Sequence, residues 1–204
     1  PTVYFDRATR GSVRGPTKLP RMRVHLVQLN IAWEDRTANF RRVKELLDHA
    51  GVQPGDFVLL PETFDSGFSM NTAKTADDGS TLAFLREAAT LHRITIQAGR
   101  TVRDNYANSG ESANGRNKAS NEMTAVGPDG RTLCRYAKIH PFSLGREQDS
   151  FVGGDTVMTY ELSSDSSVGG AEDTPANEDV RSLRVCPAIC YDLRFPELFR
   201  RGLR

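Results

Sequence analysis

The chain is predicted to adopt a layered α/β fold. Short β-branched apolar runs alternate with stretches of helical hydrophobic period, in the order strand, helix, strand, helix, strand from residue 23 to residue 102. Beyond that point the pattern changes to paired extended segments around turn residues. At 204 residues the length suits one domain able to bury a core.

Each element has its own signal. "RVHLVQLN" (23–30) is apolar and short enough for a buried strand. "RTANFRRVKELLDHAG" (36–51) puts Phe40, Val43, Leu46 and Leu47 on one helical face, with Thr37 as the candidate cap and Gly51 as the stop. "DFVLLPE" (56–62) reads as a second strand that carries Glu62 at its carboxyl end. "STLAFLREAATLHR" (80–93) repeats the helical period through Leu82, Leu85, Ala88 and Ala89, with Ser80 as candidate cap, and "ITIQAGRTV" (94–102) is the next strand. Two extended segments then flank Gly127-Pro128-Asp129-Gly130, a strong turn signal. "DTVMTYEL" and "VRSLRVCPAI" form a further expected strand pair, while the polar stretches 104–120 and 163–179 are expected as surface loops.

Composition excludes several classes of function. Basic and acidic side chains number 27 and 26, so no net field favours nucleic acid or an anionic membrane. No run approaches the roughly 20 apolar residues that cross a bilayer. Small molecules or other protein chains are the expected partners. The cysteines Cys134, Cys186 and Cys190 are odd in number and lack C-x-x-C spacing, which suits a reducing, cytoplasmic setting rather than a disulfide framework. Residues 1–21 lack hydrophobic period and are expected to be a disordered leader before a domain over 22–204.

Three expected strand ends carry reactive groups: Glu62 after "FVLLP", Lys138 after "LCRYA" and Cys190 after "RVCPAI". Strand ends in layered α/β folds are where distant side chains converge. The trio is chemically coherent, because a thiol needs a base to take its proton and a neighbouring cation favours the thiolate. Pro196 suits the first turn of a helix, whose N-terminus is expected to lower the Cys190 pKa. Taken singly, each residue has a plainer reading: a cysteine in an apolar run is usually core, as expected for Cys134 and Cys186. A lone Glu or Lys at a strand end is usually solvated.

The words around these residues add a second line of argument. "LLPETFDSGFSMN" (59–71), "YAKIHPF" (136–142) and "ICYDLRFPEL" (189–198), in that order, resemble the nitrilase superfamily of carbon-nitrogen hydrolases, and most closely its omega-amidase branch. The resemblance implies a four-layer α-β-β-α sandwich, incomplete at the C-terminus, with a Glu62-Lys138-Cys190 triad. It also implies Glu147 as a second glutamate, an oxyanion held by Lys138 and the Tyr191 backbone N–H, and a homodimer in the full-length form. The implied reaction releases ammonia from a terminal amide such as 2-oxoglutaramate or 2-oxosuccinamate through a thioester. Nitrilase or N-carbamoyl amidohydrolase activity is the alternative within catalysis, and an inactive fragment held by protein association the alternative outside it. Arg194 is a candidate for binding the substrate carboxylate and equally a candidate structural ion pair. A histidine base, His140 or His92, is the rival to Glu62. Cys186 and Cys190 make no metal-ligand spacing, and Gly153-Gly154 lacks a phosphate-loop pattern, so neither metal nor cofactor is expected. The family continues past the cysteine with further strands, so the sequence is expected to be a fragment.

Overall fold

The computed structural model describes residues 2–3, 22–103, 118–163 and 182–203. Its centre is a mixed seven-stranded sheet in the order β1-β2-β3-β4-β5-β6, with β7 alongside β5. The strands are β1 (Thr2–Val3), β2 (Val24–Leu26), β3 (Phe57–Leu59), β4 (Thr95–Val102), β5 (Ala119–Val126), β6 (Thr132–Ala137) and β7 (Phe151–Val152). β2, β3 and β4 run parallel, and parallel neighbours need a crossover connection. The two helices predicted between them, α1 (Arg36–Ala50) and α3 (Ser80–His92), supply it. The short α2 (Thr72–Thr75) precedes α3.

The period of two in the strands divides the core into two sides. Val43 and Leu47 of α1 and Phe84, Leu85, Ala88 and Ala89 of α3 pack against Val58, Ile96, Ala98 and Val126 on one face of the sheet. Phe40 stacks on Phe84 with ring centroids 4.3 Å apart, which adds a specific contact to the area buried. On the other face, Met123, Ala125, Cys134 and Tyr136 meet Tyr160 and Leu162 of a second, two-stranded sheet. That sheet pairs β8 (Tyr160–Ser163) with β9 (Ser182–Val185) antiparallel, as the sequence predicts. Ile189 and Leu198, the latter on α4 (Pro196–Gly202), close the same side.

Several boundaries differ from expectation for identifiable reasons. α1 is capped by Asp35, whose carboxylate accepts the Ala38 N–H at 2.9 Å, and not by Thr37, which lies inside the helix. Leu46 is 38% exposed and stands off the core face, whereas Asn39 is buried there because its amide bonds Ala32 and Asp65. Ser80 is the first residue of α3 and not its cap. The donors there go to Asp77, whose carboxylate accepts from Gly79, Thr81 and Leu82 and also pairs with Arg100 of β4 at 2.6 Å. One buried acid thereby ties a helix start to the sheet. Ala119 and Ser120, expected in a loop, belong to β5, where they pair with Phe151 and Val152. The rest of that expected loop over 104–117, and most of the 163–179 loop, lie outside the described residues. Thr2 and Val3, expected in a disordered leader, pair antiparallel with β2, and residues 4–21 lie outside the described residues. Among the described residues no helix is long and apolar enough to cross a membrane.

One close approach positions the loop after β3. Gly99 of β4 accepts from the Phe64 N–H at 3.1 Å and donates to Pro61 O at 3.2 Å. A Cβ on Gly99 would lie 2.6 Å from Glu62 Cα and 2.7 Å from Thr63 N, both backbone atoms. The loop that carries Glu62 therefore rests directly on the strand, and only glycine permits it. Gly99→Ala is expected to lower stability by roughly 1–3 kcal/mol, seen as an earlier urea midpoint; an unchanged midpoint would show the loop can back away freely.

Candidate active site

Three local structures bring the predicted residues together. Glu62 follows β3 in a tight turn in which Thr63 has a φ of 44°, a left-handed conformation held by the two Gly99 bonds. Lys138 follows β6, where its N–H bonds Asn121 O at 2.9 Å and its carbonyl accepts from Gly154 at 2.8 Å. A Cβ on Gly154 would lie 2.5 Å from Ala137 O, so the Gly153-Gly154 pair serves close packing on this strand end. Cys190 is not at a strand tip: β9 ends at Val185, and Cys190 opens a 3₁₀ turn through Arg194 with a φ of 46°.

Asp192 holds that turn in place. Its buried carboxylate accepts from the Ile189 N–H at 3.1 Å, the His140 N–H at 2.9 Å and the Tyr136 hydroxyl at 2.7 Å. The His140 ring lies 2.9 Å from the same acid through Nδ1 and stacks on Phe195 at 3.6 Å. His140 is thus held by Asp192 and Phe195, which ties its ring to the turn that carries Cys190. His92 ends α3, ahead of the first residue of β4, while Glu62 lies further along over Gly99.

At the centre, the Lys138 ammonium is 1% exposed and lies 2.9 Å from Glu62 Oε1 and 2.8 Å from Glu147 Oε2. Glu147, in a 3₁₀ turn over Glu147–Asp149, is fully buried and also accepts the Phe142 N–H at 2.6 Å. Asn121 donates to both carboxylates. Phe68 lays its ring 5.4 Å from the ammonium and is itself stacked against Phe151. Burial opposes the lysine charge, but the bonds to Glu147 and Glu62 outweigh it and hold the Lys138 pKa above its ordinary value. The raised pKa favours the ammonium form of this group.

Cys190 keeps a solvent-accessible surface and lies within electrostatic reach of Glu62 and Lys138. Partial burial and the Glu62 charge push its pKa up, while Lys138 pulls the other way. The expected lowering by a helix start does not occur. α4 begins six residues later, at Pro196 in its first turn as predicted, and the nearer influence is an anion. Cys134 is buried and pushed up to about 11 by desolvation first and Glu122 second, which fits its core reading.

Of the remaining predicted residues, Tyr191 packs edge-on against Phe142 and Phe195 at 5.2 and 5.5 Å. Arg194 is exposed and forms no ion pair among the described residues, so the structural ion-pair reading is not met there. Sequence reasoning missed Asn121, Asp192 and Phe68. Asn121 carried only a faint signal, since asparagine is depleted in strands and this one lies within β5, between Ser120 and Glu122.

An α/β scaffold that gathers a cysteine, an ammonium and two carboxylates at its loops defines a class equipped for nucleophilic attack by sulfur. More narrowly, the chain belongs to the carbon-nitrogen hydrolase family, whose model matches residues 23–203. It is 30% identical over 175 residues to an omega-amidase of Yersinia enterocolitica, covering 86% of this chain and 56% of that protein. It is also 30% identical over 170 residues to a deaminated glutathione amidase of Synechocystis, covering 80% and 56%. Among solved structures, a CN-hydrolase superfamily protein of Xanthomonas campestris with an arsenic adduct in its active site matches with a TM-score of 0.67 at 27% identity. That match covers 86% of this chain and 56% of the other. The chain spans a little over half the length of these relatives.

The electrostatics make two expectations measurable. Alkylation of Cys190 by iodoacetamide, followed by mass spectrometry across pH, is expected to show a midpoint above the ordinary thiol value of about 8.5. Lys138→Met is expected to raise that midpoint further and to destabilise the fold by about 3–5 kcal/mol in urea, because the buried Glu147 and the half-buried Glu62 lose their cation.

Proposed function

We propose that this chain hydrolyses the terminal amide of a small 2-oxo acid amide, of the 2-oxoglutaramate or 2-oxosuccinamate type, through a thioester on Cys190. The observation that carries the reading is the Lys138 ammonium bridging Glu62 and Glu147, with the charges of Glu62 and Lys138 both acting on the Cys190 thiol. The omega-amidase relative supports the choice of substrate class.

The raised thiol pKa gives Glu62 its task, since the sulfur keeps its proton until attack begins. Glu62 takes that proton as sulfur bonds to the amide carbon, and the oxyanion is stabilised by Lys138 and the Tyr191 N–H. Glu62 passes the proton to nitrogen, the C–N bond breaks and ammonia leaves. Water then gives a proton to Glu62 as its oxygen bonds to the thioester carbon. The C–S bond breaks, and the proton returns to sulfur. Glu147 holds Lys138 in place, and the exposed Arg194 meets the substrate carboxylate. No cofactor takes part.

The same reading extends to architecture and setting. α1 and α3 are the outer layer of a four-layer α-β-β-α sandwich, the mixed sheet is the second, and β8–β9 belongs to the third. The whole protein is a cytoplasmic homodimer.

The test is ammonia release from 2-oxoglutaramate, with deaminated glutathione as comparator. Cys190→Ala is expected to abolish turnover and the hydroxamate formed when hydroxylamine traps the thioester. Glu62→Gln is expected to cost about 10²- to 10⁴-fold in kcat. A hydroxamate from the Cys190→Ala variant would falsify the assignment of the nucleophile.

A further inference from the structure

The charged cluster has a fourth member for which the proposed reaction has no role. Asn121 of β5 is 1% exposed. Its Nδ2 donates to Glu62 Oε1 at 2.7 Å and to Glu147 Oε1 at 2.9 Å, so both amide hydrogens are spent on anions. Its Oδ1 is buried with no partner among the described residues, an arrangement that costs stability. Reversing the amide would satisfy nothing, since it would turn an oxygen toward two carboxylates. Charge therefore dictates which way the amide faces.

The same residue also holds the lysine. Its main-chain carbonyl accepts the Lys138 N–H at 2.9 Å, so one residue is bonded to all three members of the cluster. Both cluster bonds to Glu62, from Asn121 and from Lys138, fall on Oε1 and neither takes Oε2. A neutral double donor suits this place. An aspartate would add a third anion, and a second cation would neutralise the carboxylate beside the thiol.

We propose that Asn121 is a positioning residue: the two N–H groups of its amide clamp Glu62 and Glu147 together and thereby hold Glu62 in the orientation in which it meets the Cys190 thiol. The proposal rests on the Glu62-Lys138-Cys190 reading given above. It assigns the orphaned Oδ1 a reason, because the side chain is retained for its two donors and not for its acceptor.

The test uses the pH midpoint of Cys190 alkylation by iodoacetamide in the full chain, with thermal melting to verify folding. Glu62→Gln is expected to lower the midpoint by about one unit, since an anion beside the thiol is lost. Asn121→Leu is expected to lower it by about half as much, because Glu62 is no longer held against the sulfur. In the Glu62→Gln background the Asn121 substitution is expected to add nothing. If Asn121→Leu does not fold, Asn121→Ser is put through the same series and judged by the same criteria. A midpoint unmoved by Glu62→Gln overturns the underlying site reading and the proposal with it. A midpoint that responds to Glu62→Gln overturns the Asn121 proposal alone if the Asn121 variant leaves it unchanged, raises it, or shifts it equally in both backgrounds.

Discussion

A single buried cation organises this molecule's reactive end. Desolvating the Lys138 ammonium is unfavourable, and two carboxylates at 2.8 and 2.9 Å compensate it only if the loops bearing them are held rigidly. The loop after β3 is therefore pressed onto Gly99, the turn holding Glu147 is bonded back to Phe142, and Lys138 itself is fastened through its main chain to Asn121 and Gly154. Each fastening is a backbone contact. Side-chain chemistry is thus placed by main-chain geometry, which is stiffer than any rotamer.

The nucleophile is held by a separate device. Asp192 gathers donors from the turn itself, from Tyr136 and from His140, so the position of Cys190 depends on an acid two residues away and not on the strand before it. The positive φ at Cys190 is a strain that this network sustains. Partial burial of the sulfur first and the Glu62 charge second raise its pKa, against the pull of Lys138. A thiol that keeps its proton beside a carboxylate is suited to concerted transfer, with Lys138 left as the electrostatic partner.

Much of the fold was legible in the residues. The alternation of short apolar runs with helical period located α1, α3, β3 and β4, and Gly127-Pro128-Asp129-Gly130 located the hairpin between β5 and β6. The helix caps were misjudged because Asp35 and Asp77 outcompete the hydroxyls of Thr37 and Ser80 for the same N–H groups, and a carboxylate is the stronger acceptor. β7 escaped notice because its two residues gain a partner only through β5.

By itself the sequence determined the element order, the absence of a strong net charge, and which acid, amine and thiol were chemically fit to cooperate. Tertiary structure decided that Glu62, Lys138 and Glu147 share one buried cluster, that His140 is bound to Asp192, and that Asn121 bridges the two carboxylates. The physical reason is range. Period and capping act over a few residues and can be read locally, whereas the bond from Lys138 to Glu62 spans 76 positions and exists only once the sheet has set its register.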